Sequence, residues 1–429
     1  MSKALNRRSF LKHTTIAAAG GAALGSFQLL RAGESPNARL RVAVMGCHGR
    51  GMAHIESWLG VRNVEIAWVC DVDQRALEKG VAAAERKQGR KPKGDKDIRR
   101  VLEDVEVDVL SIAAPNHWHA PAAILACGAG KHVYVEKPGS HNPREAEWIV
   151  AAARKYGRKV QMGNQRRSWP WVIEAMERLR AGEIGPVRFA RAWYNASRGS
   201  IGRGKVVPVP EWLDFQLWQG PAPDRPYVDN LVHYHWHWRW HWGNGEIGNN
   251  GVHFLDLARW GLQPGAPRRV TCGGGRYRYD DDWETPDTCA LTVDFGDKGI
   301  VLESHSCHPH REAGGRNGVT FYGDNGTMVI SELVCRIYDR EENLLHEIRG
   351  QPVDVPHFQN LADAIREGAP LRSEIGEAQK AALLCHVANI AWRIGRTIDL
   401  DAATGRPKNN PEADALWQRE YRPGWEPKV

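Results

Sequence analysis

A run of histidine and aromatic residues, HYHWHWRWHWGNG, extends from His233 to Gly245. In an extended strand its histidines would share one face and its tryptophans the other. Imidazoles bind zinc or copper, but a strand separates alternate residues by roughly 7 Å, so a shared ion would need help from His305–His310. Aromatic rings also suit the C–H face of a sugar. Structural packing, a carbohydrate wall and a metal site therefore remain three open interpretations.

The turn GCHGRG, Gly46–Gly51, has the composition of a phosphate-binding loop. Gly46 and Gly51 match the first and third glycines of the G-x-G-x-x-G pattern, whereas His48 occupies the second position and Gly49 follows it. Asp71 ends the next apolar segment. A carboxylate there accepts hydrogen bonds from the ribose and repels a 2′-phosphate. The pattern predicts NAD as the cofactor, with NADP disfavoured.

The elements that must position these groups alternate along the first half of the chain. Continuous apolar segments are separated by helical patterns, which is typical of a parallel sheet covered on both faces. The predicted strands are LRVAVMG, VEIAWVCD, VDVLSIAAP, HVYVEKP and KVQMGN. The sequence predicts an α/β, doubly wound Rossmann domain over residues 38–165.

The pattern changes in the second half, predicted as one domain over residues 166–429. Short strand-like segments with glycine turns favour a large, mostly antiparallel sheet. These segments are RRVTCGGGRY, DTCALTVDF, GIVLESHSC, NGVTFYG and GTMVISELVCRIY. Two amphipathic helices, PHFQNLADAIREG and EIGEAQKAALLCHVANIAWRIG, are predicted near the end of the chain.

Two stretches, Ala114–Pro138 and Gly243–Trp260, resemble the Gfo/Idh/MocA oxidoreductases. The resemblance implies an N-terminal Rossmann domain followed by a C-terminal α+β domain with an open sheet. In that family the lysine of an E-K-P element, here Lys137, lies near the nicotinamide and the substrate hydroxyl. A second motif, D-x-x-x-H on a helix, corresponds here to Asn249 and His253. An amide cannot take a proton, so the resemblance implies catalysis by Lys137 and His253, with Asn249 as an orienting group.

The resemblance also implies which residues contact the cofactor and the substrate. Besides the glycine turn and Asp71, the residues implied for the cofactor are Pro115, Asn116, His119, Glu136, Lys137 and Gln165. Those predicted for the substrate are Trp118, Asn164, Arg166, Trp236, Trp238 and Asn250. No residue is assigned as a metal ligand, and whether the run from His233 to Gly245 binds a metal stays open.

The first 36 residues are predicted to be a twin-arginine (Tat) export signal. NRRSFLK contains the arginine pair Arg7 and Arg8, and a weakly apolar, Gly/Ala-rich segment follows it. Five basic residues and one acidic residue precede residue 36, so the net charge of +7 falls to +3 without the leader. That balance excludes a nucleic-acid partner. The predicted location is the periplasm or another exported site, with an uncleaved leader as a membrane anchor left open.

We therefore expect an exported, NAD-dependent oxidoreductase that acts on CH–OH groups of a sugar, polyol or related cyclic alcohol. Expected partners are that substrate, the Tat translocase and a second copy bound through the C-terminal sheet. Two alternatives are a redox-neutral, NAD-dependent glycoside-cleaving enzyme and a non-catalytic sugar-binding protein. Eight scattered cysteines without a C-x-x-C pair are predicted to be buried free thiols.

Overall fold

The computed structural model describes residues 39–429, so the predicted twin-arginine leader lies outside the described residues. Two sheets organise this part of the chain, one of six strands and one of nine. The predicted fold class is confirmed. No helix between residues 39 and 429 has the length and apolar character needed to cross a membrane.

The first sheet is entirely parallel, and helices cover both of its faces. Its strands are β1 (Leu40–Met45), β2 (Val64–Cys70), β3 (Lys93–Asp95), β4 (Val109–Ile112), β5 (His132–Val135) and β6 (Val160–Met162). Its helices are α1 (Arg50–Trp58), α2 (Gln74–Gln88), α3 (Ile98–Glu103), α4 (Asn116–Gly128) and α5 (Pro143–Lys155). The strand order is β3-β2-β1-β4-β5-β6. The order reverses beside β1, where such sheets bind ligands at their carboxyl ends.

The second sheet has the order β14-β13-β12-β11-β7-β10-β9-β8-β15 and is antiparallel except for the pair β7 and β10. Its strands are β7 (Val187–Asn195), β8 (Arg269–Gly275), β9 (Thr288–Asp294), β10 (Gly299–His305), β11 (Asn317–Gly323), β12 (Gly326–Ser331), β13 (Val334–Asp339), β14 (Leu344–Arg349) and β15 (Ile398–Asp399). The accompanying helices are α6 (Pro170–Arg180), α7 (Phe215–Gln219), α8 (Val252–Leu262), α9 (Val355–Glu367), α10 (Ile375–Ile394) and α11 (Pro411–Ala415).

The two late helices connect the sheets. In α9, Phe358 is buried in the core on one face of the first sheet. In α10, Ile375 enters the core on the other face, while Leu384 belongs to the core of the second domain. The last quarter of the chain therefore completes the Rossmann domain and holds the two domains together.

One face of the second sheet packs against α8 and α10, and the other face is open. Buried and exposed residues alternate along β9, as expected when one sheet face is covered. On the open face Phe189 and Tyr322 are partly exposed and lie side by side, with ring centroids 5.6 Å apart. This is the surface on which pairing with a second copy was predicted.

The histidine and tryptophan run does not form a strand. His235–Trp238 is a 3-10 helix, and turns surround it. Residues three apart align in such a helix, and the rings of Tyr234 and His237 accordingly lie 4.5 Å apart between centroids. The alternation of histidine and tryptophan therefore does not separate two faces.

Candidate cofactor and substrate cleft

A cavity of about 610 Å³ lies where the carboxyl ends of β1, β2, β4 and β5 meet the second domain. Residues from the ends of these strands form one wall of it. The 3-10 helix Gln165–Ser168, the segment His233–His237 and the start of α8 contribute the other side. Its position between two domains, at the switch point of a parallel sheet, is typical of a dinucleotide cleft.

The glycine turn of this cleft fits a pyrophosphate. Gly46 has a φ of +86°, which favours glycine, and a Cβ added to Gly51 would overlap the carbonyl oxygen of Gly46. An added Cβ at Gly49, in contrast, meets nothing within 4 Å. Helix α1 begins at the next residue without a side-chain cap or an acidic residue in its first turn. Its N-terminal N–H groups and dipole are therefore available to an anion.

Asp71 stands at the end of β2 and lines the cavity. Its two oxygens already accept hydrogen bonds from the backbone N–H groups of Cys47 and Asp73, the latter at 2.9 Å. Burial raises the pKa of Asp71 to about 6, and those two hydrogen bonds partly offset the rise. A carboxylate has about four acceptor positions, so two remain for ribose hydroxyls, while a 2′-phosphate would be repelled.

Glu136, in the E-K-P element after β5, is the centre of a buried polar network. Its Oε1 accepts hydrogen bonds from Arg50 Nε at 2.8 Å and from Gln165 Nε2 at 2.8 Å, and it lies 3.1 Å from His54 Nε2. Burial opposes ionisation, but Arg50 and His54 outweigh it and hold the pKa of Glu136 well below its usual range. Glu136 therefore fixes the turn that carries Lys137.

Lys137 is held by Asn249. Its Nζ donates to the Asn249 carbonyl oxygen at 2.7 Å and to Asn249 Oδ1 at 3.0 Å. An ammonium has three donors, so one N–H remains for a ligand in the cavity. Burial lowers the pKa of Lys137, and Glu136 and Glu246 partly offset that effect. Asn249 thus orients Lys137.

The histidines at this end of the cleft are neutral at neutral pH. Burial, together with Lys137 and Arg166, lowers the pKa of His253 well below its usual range. Within residues 39–429, no group is hydrogen-bonded to His253 Nδ1. Burial also lowers the pKa of His237 to about 3, and its Nδ1 donates to the Tyr234 carbonyl oxygen at 2.6 Å. Both imidazoles are therefore unprotonated and can accept a hydrogen bond.

An ion pair that the sequence analysis missed supports the catalytic end. Glu246 is buried and paired with Arg198, whose Nη2 lies 3.2 Å from Glu246 Oε1. The same Oε1 accepts from Asn249 Nδ2 at 3.2 Å and from Asn250 Nδ2. Asn249 lies in a single π-helical turn, Ile247–Gly251, directly before α8. The chain of contacts from Arg198 through Glu246 and Asn249 therefore positions Lys137.

Most residues predicted for the site line the cavity. These are Gly46, His48, Gly49, Asp71, Pro115, Asn116, Trp118, His119, Glu136, Lys137, Gln165, Arg166, Trp236, Asn249 and His253. Four predicted residues do not line it. Gly51 packs against the Gly46 carbonyl group, and Asn164 is buried. The side-chain amide of Asn250 donates to Glu246, and Trp238 stacks on Trp283 with ring centroids 4.0 Å apart. Trp238 is therefore a core residue and not part of the cavity wall, since only 1% of it is exposed.

Several lining residues were not predicted, among them Arg50, Trp169, His233, Tyr234 and His237. Arg50 lies within the glycine turn, between Gly49 and Gly51, so its position at the start of α1 was a usable signal. The three residues from the aromatic run could not be selected from the sequence because the alternation suggested a strand.

One contact joins the two domains across the glycine turn. The rings of His48 and His233 are stacked, with centroids 3.8 Å apart and planes 8° apart. His233 Nε2 lies 2.8 Å from Asp73 Oδ2, and these three residues are the one group in residues 39–429 with the spacing of metal ligands. Parallel stacked rings do not direct their nitrogens at one point, as a tetrahedral ion requires. The His305–His310 segment is not part of this group.

All eight cysteines are buried free thiols, as predicted.

The fold and the cleft define a two-domain protein with the architecture of a dinucleotide-binding site. Residues 40–164 match the model of the oxidoreductase family with an NAD-binding Rossmann fold, and residues 192–427 match that family's C-terminal alpha/beta domain. The chain belongs to the Gfo/Idh/MocA family of oxidoreductases, and its N-terminal domain is an NAD-binding Rossmann domain.

Similar proteins include sugar-related enzymes. A "Glycosyl hydrolase family 109 protein" of Shewanella sp. (strain W3-18-1) is 27% identical over 159 residues, which are 36% of this chain and 35% of that relative. The fold is similar to that of levoglucosan dehydrogenase in complex with NADH and levoglucosan, with a TM-score of 0.68, 17% identity and coverage of 85% and 100% of the two chains. It is also similar to aldose-aldose oxidoreductase from Caulobacter crescentus, with a TM-score of 0.66, 19% identity and coverage of 84% and 100%.

Proposed function

We propose that this protein is an NAD-dependent oxidoreductase that acts on a CH–OH group of a sugar, polyol or related cyclic alcohol and keeps its cofactor tightly bound. The observation that supports this most is the position of Lys137. Its ammonium is fixed by Asn249, has one free N–H, and opens into the cavity that extends from Asp71 to His253.

Each residue of the cleft has a separate role in the proposed reaction. NAD, when bound, supplies the hydride acceptor. Lys137 donates a hydrogen bond to the substrate hydroxyl and stabilises the developing alkoxide. His253, which is neutral and lines the cavity, accepts the hydroxyl proton. Asn249 holds Lys137 in place, and the adjacent aromatic residues Tyr234 and Trp236 offer faces for a sugar ring.

A second candidate function is redox-neutral cleavage of a glycoside. With NAD bound, transient oxidation of a ring carbon would acidify the neighbouring C–H, and elimination would release the aglycone and leave an unsaturated ketone. Addition of water to that ketone and reduction of its carbonyl group would complete the cleavage with no net change in the cofactor. The match to a glycosyl hydrolase family 109 protein favours this candidate. It also suits an exported enzyme, since no free pool of NAD is expected outside the cytoplasm.

Product analysis tests the proposal. The NAD-loaded protein is incubated with free sugars and, separately, with the matching aryl glycosides. The absorbance of the nicotinamide, the sugar products and the released aglycone are measured. We expect reduced nicotinamide and an oxidised sugar. Aglycone release without accumulated reduced nicotinamide would instead establish the second candidate. If a sugar binds but neither product forms, the result favours a non-catalytic sugar-binding protein. Failure to bind NAD would contradict both enzymatic proposals.

We also propose that the protein is exported by the Tat pathway and pairs through its open sheet face. The pathway reads the guanidinium pair rather than charge alone, so replacing Arg7 and Arg8 together with Lys is expected to trap the protein in the cytoplasm. Cell fractionation measures this, with the unchanged chain as the control. Recovery of the doubly substituted protein in the periplasm would contradict the proposed route.

A further inference from the structure

Arg166 is a cationic side chain in the cleft that has no anionic partner in residues 39–429. It lines the cavity from the 3-10 helix Gln165–Ser168. Its guanidinium carbon lies 4.6 Å from the ring centroid of Phe254 and 5.2 Å from that of Trp169. Those aromatic faces attract and orient a cation, but they leave the guanidinium donors unused.

The neighbouring Arg167 shows how this chain treats a buried guanidinium that has only a structural role. Arg167 forms a bidentate pair with Asp256, with Nε 2.8 Å from Oδ2 and Nη2 2.7 Å from Oδ1. The other acidic groups near the catalytic end are also occupied: Glu246 by Arg198, and Glu136 by Arg50. No carboxylate of residues 39–429 lies within ion-pair distance of Arg166.

Arg166 retains its charge at neutral pH. Burial lowers its pKa to about 10, which leaves the guanidinium protonated. Placing an unpaired cation in a partly desolvated site costs free energy, and a ligand anion would recover that cost. Arg166 is also close enough to His253 to lower the pKa of that imidazole, so its ligand would lie beside the reacting centre.

The cofactor's phosphates are not the anion that fits Arg166. They are expected at the free N-terminus of α1 beside Gly46 and Gly49. Arg166, in contrast, contacts Phe254 of α8, one residue from His253. The donor available to an anion there is one planar guanidinium, since the third N–H of Lys137 is assigned to the substrate hydroxyl. A planar fork matches a carboxylate in a bidentate geometry.

We propose that the substrate is a sugar acid, whose carboxylate is bound by Arg166 while Lys137 and His253 act on one of its ring hydroxyls. This inference rests on the proposed function and narrows its substrate class. A sugar phosphate would bring a related anion, but a phosphate is usually bound by several donors or a helix N-terminus, whereas Arg166 offers a single guanidinium from a four-residue 3-10 helix.

Calorimetric titration of the NAD-saturated protein tests the inference with matched ligands. The probes are glucuronate with glucose, galacturonate with galactose, and glucose 6-phosphate. We expect at least one uronate to bind about tenfold or more tightly than its aldose, because hydrogen bonds to a charged group contribute about that factor. Arg166→Met should abolish the preference, and Arg166→Lys should retain part of it.

Two controls separate this role from others. Arg180 lies over the Trp260 ring at 5.5 Å, outside the cleft, and Arg180→Met should leave the preference unchanged. NAD affinity should be unchanged in Arg166→Met, since a large loss would show that Arg166 binds the cofactor and would overturn the inference.

Titration of the unmodified protein tests the sugar-acid assignment even if Arg166→Met does not fold. Equal or tighter binding of the aldoses, exclusive binding of glucose 6-phosphate, or no binding of either uronate would overturn the sugar-acid assignment. The proposed oxidoreductase function would survive each of those results if NAD binds and a neutral sugar or a polyol is oxidised. Failure to bind NAD would instead remove the function itself.

Discussion

Lys137→Met is expected to lower turnover by about two to four orders of magnitude, the usual contribution of a positioned acid–base group. Methionine fills a similar volume but offers no ammonium to the substrate hydroxyl and leaves both oxygens of Asn249 without their donor. The measurement is kcat with the substrate identified by product analysis. Lys155→Met, at the exposed end of α5, is the matched control and should keep full activity.

His253→Ala should cause a loss of similar size, and the double variant should be little worse than either single one. Groups that act on one proton are strongly non-additive when they are removed. NAD affinity should survive in His253→Ala, because this residue belongs to α8 in the second domain and not to the glycine turn. Full activity of that variant, or multiplication of the two losses in the double variant, would contradict a shared role.

Asp256→Asn is expected to destabilise the protein by about 3–5 kcal/mol. The substitution keeps the shape of the side chain but leaves Arg167 as a buried, uncompensated charge. Both partners are nearly inaccessible to solvent, at 7% and 2% exposure. The pair joins the 3-10 helix after β6 to α8, so its loss weakens the junction between the domains. Chemical and thermal unfolding of the purified variant measure the effect.

The control for this experiment is Glu174→Gln, in the exposed pair that Glu174 forms with Arg178 at 3.1 Å. Surface pairs four residues apart on a helix contribute only about 0.3–0.5 kcal/mol. The control should therefore unfold almost as the unchanged protein does. If Asp256→Asn has an equally small effect, then the loss of Asp256 does not leave Arg167 as an uncompensated buried charge, and the prediction is wrong.

Elements with a strong apolar period were predictable from the sequence. The buried parallel strands and the alternating strands of the second sheet both follow from that period. Edge elements were not: β3 (Lys93–Asp95) has no apolar residue, and β14 (Leu344–Arg349) is mostly exposed. The apolar segment GTMVISELVCRIY divides into β12 and β13 at a turn in which Glu332 has a φ of +52°. Hydrophobicity alone does not reveal such a turn.

The site was predictable where a residue type is tied to a turn or a strand end, as for Asp71 and Lys137. Pairings between distant residues were not, because nothing in the sequence connects Arg198 with Glu246 or Arg50 with Glu136. The aromatic run shows a third limit. Its alternation fits a strand, yet the buried Trp236 and Trp238 pack well from a 3-10 helix, and tertiary packing decides between the two.

The stacked rings of His48 and His233 bear on how fast the cofactor can exchange. One ring belongs to the glycine turn that would hold the pyrophosphate. The other belongs to the second domain, and its Nε2 lies 2.8 Å from Oδ2 of Asp73, which follows β2 in the first domain. A dinucleotide bound beneath this contact could leave only after the rings separate and the domains open. Its dissociation rate would then be set by that opening, so that the cofactor's residence time could span many substrate encounters.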